Sequence, residues 1–219
     1  KVLAEIRKAL EDGDRQKAKQ LAEQNLVGPN NAQYGRYLAF GDIFMVFNNQ
    51  KKGLDTVTDY HRSLDITEAT TTTSYTQDGT TFKRETFSSY PDDVTVTHLT
   101  KKGNKTLDFT LWNSLTEDLL ANGNYSWEYS NYKNGHVTTD ENGILLKGTV
   151  KDNGLKFASY LGIKTDGTVT VQNETLTVTG ASYATLYLSA KTNFVQNPKT
   201  NYRKDIDLEK TVKGIVEAA

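Results

Sequence analysis

Residues 93–114 read DVTVTHLTKKGNKTLDFTLWNS, and apolar side chains in this stretch alternate with Thr and other polar side chains. Alternation with a period of two is typical of a β-strand that has one buried face. We therefore predict strands over residues 93–101 and 105–114. The side chains predicted to face the core are Val94, Val96 and Leu99 in the first strand, and Leu107, Phe109 and Leu111 in the second.

Similar patterns continue along most of the chain. Further strands are predicted over residues 37–47, 56–65, 68–77, 80–88, 125–132, 136–139, 143–150, 156–164, 168–172, 175–179 and 183–192. Between many of them stand pairs that favour tight hairpin turns: Asp78-Gly79, Asn122-Gly123, Asn134-Gly135, Asn142-Gly143, Asn153-Gly154 and Asp166-Gly167. About a dozen short strands joined in this way predict a mainly β fold, a large antiparallel sandwich of two sheets.

The spacing of apolar residues is helical at both ends of the chain. Residues 1–28 predict an αα-hairpin that is broken at Asp12-Gly13, with Asp14 as the N-cap of its second helix. Residues 206–216 predict a short C-terminal helix. The predicted organisation is a domain over residues 1–195, with the hairpin in 1–28 and the β-sandwich in 34–195. A helical segment, 196–219, then leads to a catalytic domain beyond this sequence.

The composition narrows the classes of function. The chain has 219 residues, no Cys, thirty Thr and a formal net charge of −1. Disulfides and thiolate metal sites are excluded, and the net charge argues against a nucleic-acid partner. No apolar run is long enough to span a membrane. Because the chain starts with Lys1 and without a leader, we expect it to be a piece of a longer protein, and we assign no compartment.

No catalytic constellation stands out among the polar residues. His61, His98 and His136 all lie in predicted strands without metal-ligand spacing, which favours structural or exposed roles. The chain has no G-x-S-x-G nucleophile motif and no glycine-rich phosphate loop. Its adjacent carboxylate pairs fall on opposite strand faces or in turns. We therefore predict no catalytic residue, no metal site and no cofactor in this chain.

An aromatic stretch at residues 125–132 is the strongest candidate for a binding surface. Tyr125, Trp127 and Tyr129 alternate along one predicted strand and therefore share a face. Such a face packs in a core or against a neighbouring domain, or it stacks on a sugar ring. The first two interpretations are favoured, and the sugar platform stays as an alternative.

Several stretches together resemble the N-terminal domain of glycoside hydrolase family 95, the family of α-L-fucosidases and α-L-galactosidases. Residues 60–66 read YHRSLDI and residues 40–43 read FGDI, close to the family's Y-x-R-x-L-D-L and P-L/F-G-D-L patterns. Leu38-Ala39 departs from the expected Gln-Pro. Further matching stretches are 5–10, 68–92, 154–158, 167–169, 176–178 and 184–194. The similarity extends over nearly the whole chain, with a divergent middle at about residues 115–150.

The resemblance implies an N-terminal super-sandwich that precedes an (α/α)₆ barrel in a metal-independent, inverting exo-glycosidase. The catalytic residues of the family lie on the barrel, so none of them corresponds to a residue of this chain. The resemblance also implies scaffold roles, with Arg62 pairing with Asp65 or Arg84 with Glu85 across strands.

These observations predict a non-catalytic scaffold domain of a fucosidase-like glycosidase, inactive by itself. Its expected partners are the barrel of the parent chain and fucosylated glycans. Two alternatives are an autonomous carbohydrate-binding module and a structural or adhesin-type β domain. Because the first strands of the family's domain are expected to precede Lys1, we also expect unpaired sheet edges through which the chain could self-associate.

Overall fold

The structure, a computed structural model, describes residues 2–26, 40–48, 57–114 and 133–219. The chain divides into two compact units, Lys1–Tyr37 and Leu38–Ala219. In the described ranges, the first unit contains helices and the second contains two β-sheets with one further α-helix. This confirms the predicted mainly β fold with an N-terminal helical hairpin and a short C-terminal helix. The predicted domain boundaries stay predictions.

The helical unit is an αα-hairpin of α1 (Val2–Glu11) and α2 (Arg15–Asn25). Gly13 adopts a φ of +78° at the break between them, a conformation that glycine reaches without steric cost. The Asp14 side chain then accepts a hydrogen bond from the Lys17 backbone N–H and caps α2. Ile6 and Ala9 of α1 pack with Ala18 of α2, as helical spacing requires.

The second unit is a sandwich of two antiparallel sheets. The strands are β1 (Ile43–Phe47), β2 (Val57–Asp65), β3 (Thr70–Gln77), β4 (Thr80–Ser89), β5 (Val94–Lys102), β6 (Leu107–Asn113), β7 (Lys133–Asp140), β8 (Gly143–Val150), β9 (Lys156–Thr165), β10 (Thr168–Gln172), β11 (Thr175–Ala181) and β12 (Tyr183–Thr192). One sheet has the order β1-β6-β11-β10. The other has the order β2-β3-β4-β5-β12-β9-β8-β7. Among the described residues the larger sheet therefore extends further than the smaller one.

The main core lies between the two sheets. Leu107, Phe109 and Leu111 of β6 are almost fully buried, as predicted from their alternation. They belong to one apolar cluster with Leu99 of β5 and residues of β4, β7, β8, β9, β11 and β12. Deeply buried apolar side chains of this kind contribute roughly 1.5–3 kcal/mol each, which makes this layer the main source of stability.

The prediction that Val94 and Val96 face the same core as Leu99 was wrong. Successive residues of a strand alternate between faces, so the two valines lie opposite Leu99 on β5. They are buried on the outer face, which we define as the face of the larger sheet that turns away from the smaller sheet. Val96 pairs there with Tyr187 of β12.

The tight turns follow the predicted pairs only in part. Asp78 and Gly79 both have positive φ, as a type I′ turn requires. In contrast, Asn134-Gly135 lies inside β7, so the predicted turn there was wrong. The predicted turn at Asn142-Gly143 was displaced by one residue: Glu141 and Asn142 form it, and Gly143 begins β8. The Asp140 carboxylate fixes that turn by accepting hydrogen bonds from the Asn142 and Gly143 N–H groups. The predicted pair Asn122-Gly123 lies outside the described residues.

Helix α3 (Leu208–Ala218) packs on the outer face of the larger sheet. Its apolar side covers a patch that includes Ala158 and Tyr160 of β9. This side is formed by Leu208, Val212 and Val216. Asp207 caps the helix by accepting a hydrogen bond from the Lys210 N–H. The helix therefore belongs to the same compact unit as the sandwich.

Candidate binding site between the two sheets

The aromatic residues predicted as a binding or interface surface, Tyr125, Trp127 and Tyr129, lie outside the described residues. Their role stays a prediction. The three histidines are all in strands, as predicted, on β2, β5 and β7. Nowhere in the described ranges do three or more His, Asp or Glu side chains come together in a way that could hold a metal ion.

A cavity of about 360 Å³ opens between the two sheets, on the side where the larger sheet extends under β1. Its apolar lining comes from both sheets: Ile43, Met45 and Leu111 of the smaller sheet, and Leu161, Leu186 and Leu188 of the larger one. Its polar wall has five threonines: Thr71, Thr73, Thr86, Thr95 and Thr97. Arg62 and Arg84 also line it, and none of the described residues in the lining carries a carboxyl group. We call this cavity the inter-sheet groove.

Both arginines belong to one row across three neighbouring strands. Arg62 of β2 is the register partner of Thr73 on β3, and Thr73 is the register partner of Arg84 on β4. Register partners share a face, so the three side chains lie side by side in the groove. Within the part of the chain that the structure describes, no hydrogen bond or ion pair engages Arg62, Thr73 or Arg84. We call these three residues the Arg-Thr-Arg row.

The threonines beside the row are already bonded to their neighbours. Thr86 and Thr97 share a hydrogen bond of 3.0 Å between their hydroxyl oxygens. The Thr95 hydroxyl lies 2.9 Å from that of Ser88, and the Thr71 hydroxyl donates to the Thr86 carbonyl. These cross-strand bonds hold the polar wall in place and use part of its hydrogen-bonding capacity, whereas the row keeps all of its donors for a ligand.

The scaffold pairs expected for the arginines were wrong. Asp65 accepts hydrogen bonds from the Thr67 and Glu68 backbone N–H groups and shapes the turn after β2. Glu85 forms an ion pair of 2.8 Å with Lys83 on the same strand. Because Arg84 and Glu85 are adjacent in β4, their side chains point to opposite faces of the sheet and cannot meet.

A smaller recess of about 110 Å³ shares Thr73 and Arg84 with the groove. Aromatic rings shape its far end, where Tyr75 and Phe82 lie 5.5 Å apart between ring centroids. Phe47 of the smaller sheet also lines it. The Arg-Thr-Arg row therefore stands between a hydroxyl-lined cavity and an aromatic one.

In the described ranges, the titratable groups with perturbed pKa values lie away from the groove. Burial, together with the charges of Asp140 and Glu217, raises the pKa of Tyr160 under α3 to about 12. Hydrogen bonds from the Ser182 side chain and the Tyr183 N–H lower the pKa of Asp166, in the turn after β9. Hydrogen bonds from Lys147 and Lys213 lower the pKa of Glu209 on α3. These groups lock turns and the helix, which is a structural task.

Comparison with known families decides the class of domain. A family model described as glycosyl hydrolase family 65, N-terminal domain, matches residues 1–197, most of the chain. The chain belongs to this family. The expectation of a glycoside hydrolase N-terminal domain is thereby confirmed at the coarser level, while the match is to family 65 and not to family 95 specifically. No curated protein matches the chain.

The Arg-Thr-Arg row of this glycosyl hydrolase family 65 N-terminal domain was missed in the sequence. Arg62 and Arg84 were recognised only as members of family-like motifs, and Thr73 is one of many threonines. The signal that unites them is the pairing of β2, β3 and β4 in register. Counting back from the Asp78-Gly79 turn places Arg84 opposite Thr73, so that half of the row could have been predicted.

No helix in the described ranges combines the length and the apolar character that a membrane crossing needs.

Proposed function

We propose that this chain is the non-catalytic scaffold domain of a multidomain exo-glycosidase that removes terminal α-linked L-fucose from glycans. The match of residues 1–197 to a glycosyl hydrolase N-terminal domain carries the proposal. The motifs at 40–43 and 60–66, which resemble α-L-fucosidases, support the choice of sugar.

The chemistry of the inter-sheet groove supports a non-catalytic role. Glycosidases usually place two carboxyl groups about 5–9.5 Å apart, on either side of the scissile bond. The described residues that line the groove are arginines, threonines and apolar side chains, with no Asp or Glu among them. A cavity of this composition can bind a ligand, but it cannot supply the acid and the base that hydrolysis of a glycosidic bond requires.

The proposed partner of this domain is the (α/α)₆ barrel of the same parent chain, on which it would pack and whose substrate pocket it would help to shape. Fucosylated glycans are the proposed substrates of the barrel. The test compares the 219-residue chain with the full parent protein on 2′-fucosyllactose and on a panel of disaccharides with other terminal sugars.

We expect the parent to release fucose and the 219-residue chain to release none. Turnover by the 219-residue chain alone would overturn the scaffold role. A parent that hydrolyses only other terminal sugars would overturn the fucosidase specificity, and it would leave the scaffold role standing.

A second copy of this chain is a further proposed partner of the isolated domain, through the free edge of β2. This strand is the edge of the larger sheet in the described part of the chain, and nearly all its residues are exposed. Leu64 in the strand is 63% exposed, and Ile66 just beyond it is 86% exposed. An exposed edge that carries apolar side chains is a template for pairing with another chain. A bulge at Asp59, where φ is +51°, limits the regular edge to the second half of the strand.

A further inference from the structure

We propose that the Arg-Thr-Arg row binds the carboxylate of a small sugar acid seated in the inter-sheet groove. The ligand class is a hydroxyl-rich monosaccharide with one carboxylate, of which uronic acids are the simplest examples. This site would be separate from the proposed glycosidase activity, because the described residues that line the groove include no carboxyl group.

The first argument is the chemistry of the row. A guanidinium group has five N–H donors and no acceptor, and its planar fork matches the two oxygens of a carboxylate. Arg62 and Arg84 flank the Thr73 hydroxyl, which can donate one more hydrogen bond. Three neighbouring groups that offer donors to the same space call for a ligand that is an acceptor.

The second argument is charge. Both arginines carry a positive charge, and the described residues that line the groove with them include no acidic one. The acidic residues nearest to them in sequence are engaged elsewhere: Asp65 with the turn after β2, and Glu85 with Lys83 on the opposite face. Within the described part of the chain, the row therefore presents two positive charges without a facing carboxylate, and an anion between them relieves their mutual repulsion.

The arrangement of the two arginines favours one compact anion over an extended acidic peptide. They sit at the same level on β2 and β4, with one strand between them. Strands are about 4.8 Å apart, so their Cα atoms lie about 10 Å apart across the sheet. Acidic side chains on one face of an extended peptide recur about 6.6 Å apart along its own direction. A single anion above Thr73 can receive both guanidinium groups, whereas such a peptide aligned with the strands would meet only one of them at a time.

The rest of the lining indicates what carries the carboxylate. The volume of about 360 Å³ lies within the usual range for small-molecule sites. The fixed hydroxyls of Thr86, Thr95 and Thr97 keep lone pairs that can accept from ligand hydroxyls. Ile43, Met45 and Leu111 line the groove from the smaller sheet, across from the threonines, and suit the C–H face of a pyranose ring. A sugar acid satisfies all three parts of the site.

The test is a calorimetric titration of the 219-residue chain with D-galacturonate and D-glucuronate at low salt, with acetate and D-galactose as comparison ligands. We expect saturable binding of a uronate that weakens with added salt. Acetate and galactose should each bind at least tenfold more weakly than the uronate. Acetate offers only the carboxylate, and galactose offers only the hydroxyl-rich ring.

Variants then assign the contacts. Arg62→Gln and Arg84→Gln should each weaken uronate binding about tenfold to a hundredfold, as for a lost hydrogen bond to a charged group. Arg84→Lys keeps the positive charge but loses the planar guanidinium fork. Its affinity for uronate should therefore lie between those of Arg84→Gln and the wild type. Thr73→Val keeps the shape of the side chain and should weaken binding severalfold.

The matched control is Lys102→Gln, which removes one positive charge from β5 of the same sheet at a position that does not line the groove. Its uronate affinity should match that of the wild type, and far-UV circular dichroism of each variant checks that the fold is kept. No saturable uronate binding would overturn the proposal. So would equal binding of acetate or galactose, or unchanged affinity in a folded double variant, Arg62→Gln with Arg84→Gln.

Discussion

Gly162 of β9 lies directly beneath Val216 of α3, and a Cβ atom placed on Gly162 would be 2.5 Å from the Val216 Cγ1. Real Cβ atoms do not approach other atoms so closely. The helix can therefore rest on the outer face because this position has no side chain. Val216 is 5% exposed in the resulting contact, so the glycine contributes to burial of the apolar side of α3.

The first prediction follows from this contact. Gly162→Ala should reduce the free energy of unfolding by about 1–3 kcal/mol, because it overpacks the interface between α3 and β9. Urea denaturation followed by circular dichroism measures the change. If the α3 contact governs the effect, the double variant with Val216→Ala should lose less stability than the sum of the two single losses, since Val216→Ala removes the atom that clashes.

Gly214→Ala serves as the matched control for this prediction. Gly214 is within α3, and an added Cβ would meet nothing within 4 Å. Alanine is favoured over glycine in a helix by about 0.8–1.0 kcal/mol, so this variant should be more stable than the wild type. Equal losses in both variants would mean that glycine is not needed at position 162 for the close approach.

The second prediction concerns pH and the turn after β9. The Asp166 carboxylate accepts hydrogen bonds from the Ser182 side chain and from the Tyr183 and Ser182 N–H groups, which lowers its pKa. A carboxyl group whose folded pKa is lowered stabilises the fold above its unfolded pKa of about 3.9, and this contribution disappears as pH falls through the folded pKa.

NMR titration of the side-chain carboxyl carbon should therefore give a midpoint for Asp166 below 3.9. Ser182→Ala removes the largest cause and should move the midpoint upward. A midpoint at or above the ordinary value in the wild-type chain would contradict the proposed hydrogen bonds.

The third prediction concerns Tyr160 under α3. Burial and the nearby Asp140 and Glu217 raise its pKa to about 12 from the usual 10. The stability that this tyrosine contributes is complete below pH 10 and is lost as pH rises through 12. NMR titration with tyrosine labelled at Cζ distinguishes it from the other tyrosines. Glu217→Gln should lower the midpoint, and a midpoint near 10 in the wild type would show that α3 does not cover the ring.

The alternation of apolar and polar residues predicted the fold class well, because each strand shows its buried face in its own sequence. Leu107, Phe109 and Leu111 are two positions apart along β6, so they share a face, and they are in the core. Val94 and Val96 are an odd number of positions from Leu99, so they lie on the opposite face of the strand. Both faces of β5 are covered in part, so hydrophobicity alone did not tell the inner face from the outer one.

The candidate site was harder to predict because it depends on partners that are distant in sequence. Arg62 and Arg84 are 22 positions apart and meet only through the register of β2, β3 and β4. The bulge at Asp59 shifts the register of β2, so counting from a turn would misplace half of that strand. Local motif matching assigned these arginines to nearby carboxylates, although adjacent strand residues face opposite ways.

The fourth prediction tests self-association through the edge of β2. Leu64→Lys puts a charge on this edge, which opposes pairing of strands between copies. Sedimentation velocity at increasing concentration should show association of the wild type and a shift toward monomer in the variant. Leu10→Lys on α1, where the leucine is also more than half exposed, is the control and should associate like the wild type. A wild type that stays monomeric at high concentration would contradict the proposed partner.

The fifth prediction concerns two tight turns whose central residues all have positive φ but differ in residue type. Asp78-Gly79 joins β3 to β4, and Asn173-Glu174 joins β10 to β11 with φ values of +48° and +60°. The left-handed region costs a residue with a side chain roughly 1–2 kcal/mol, and glycine avoids that cost. Glu174→Gly should therefore raise the free energy of unfolding by about 1 kcal/mol. The Glu174 carbonyl, which accepts a hydrogen bond from the Thr139 hydroxyl, is kept in this variant.

Gly79→Ala is the reciprocal change at the other turn. An added Cβ there would meet nothing within 4 Å, so any loss of stability reports backbone strain alone. We expect a loss of about 1 kcal/mol, similar in size and opposite in sign to the gain at position 174. Thermal and urea unfolding measure the change in the free energy of unfolding for both variants. Loss of stability in Glu174→Gly would show that interactions of the Glu174 side chain outweigh the strain of its backbone.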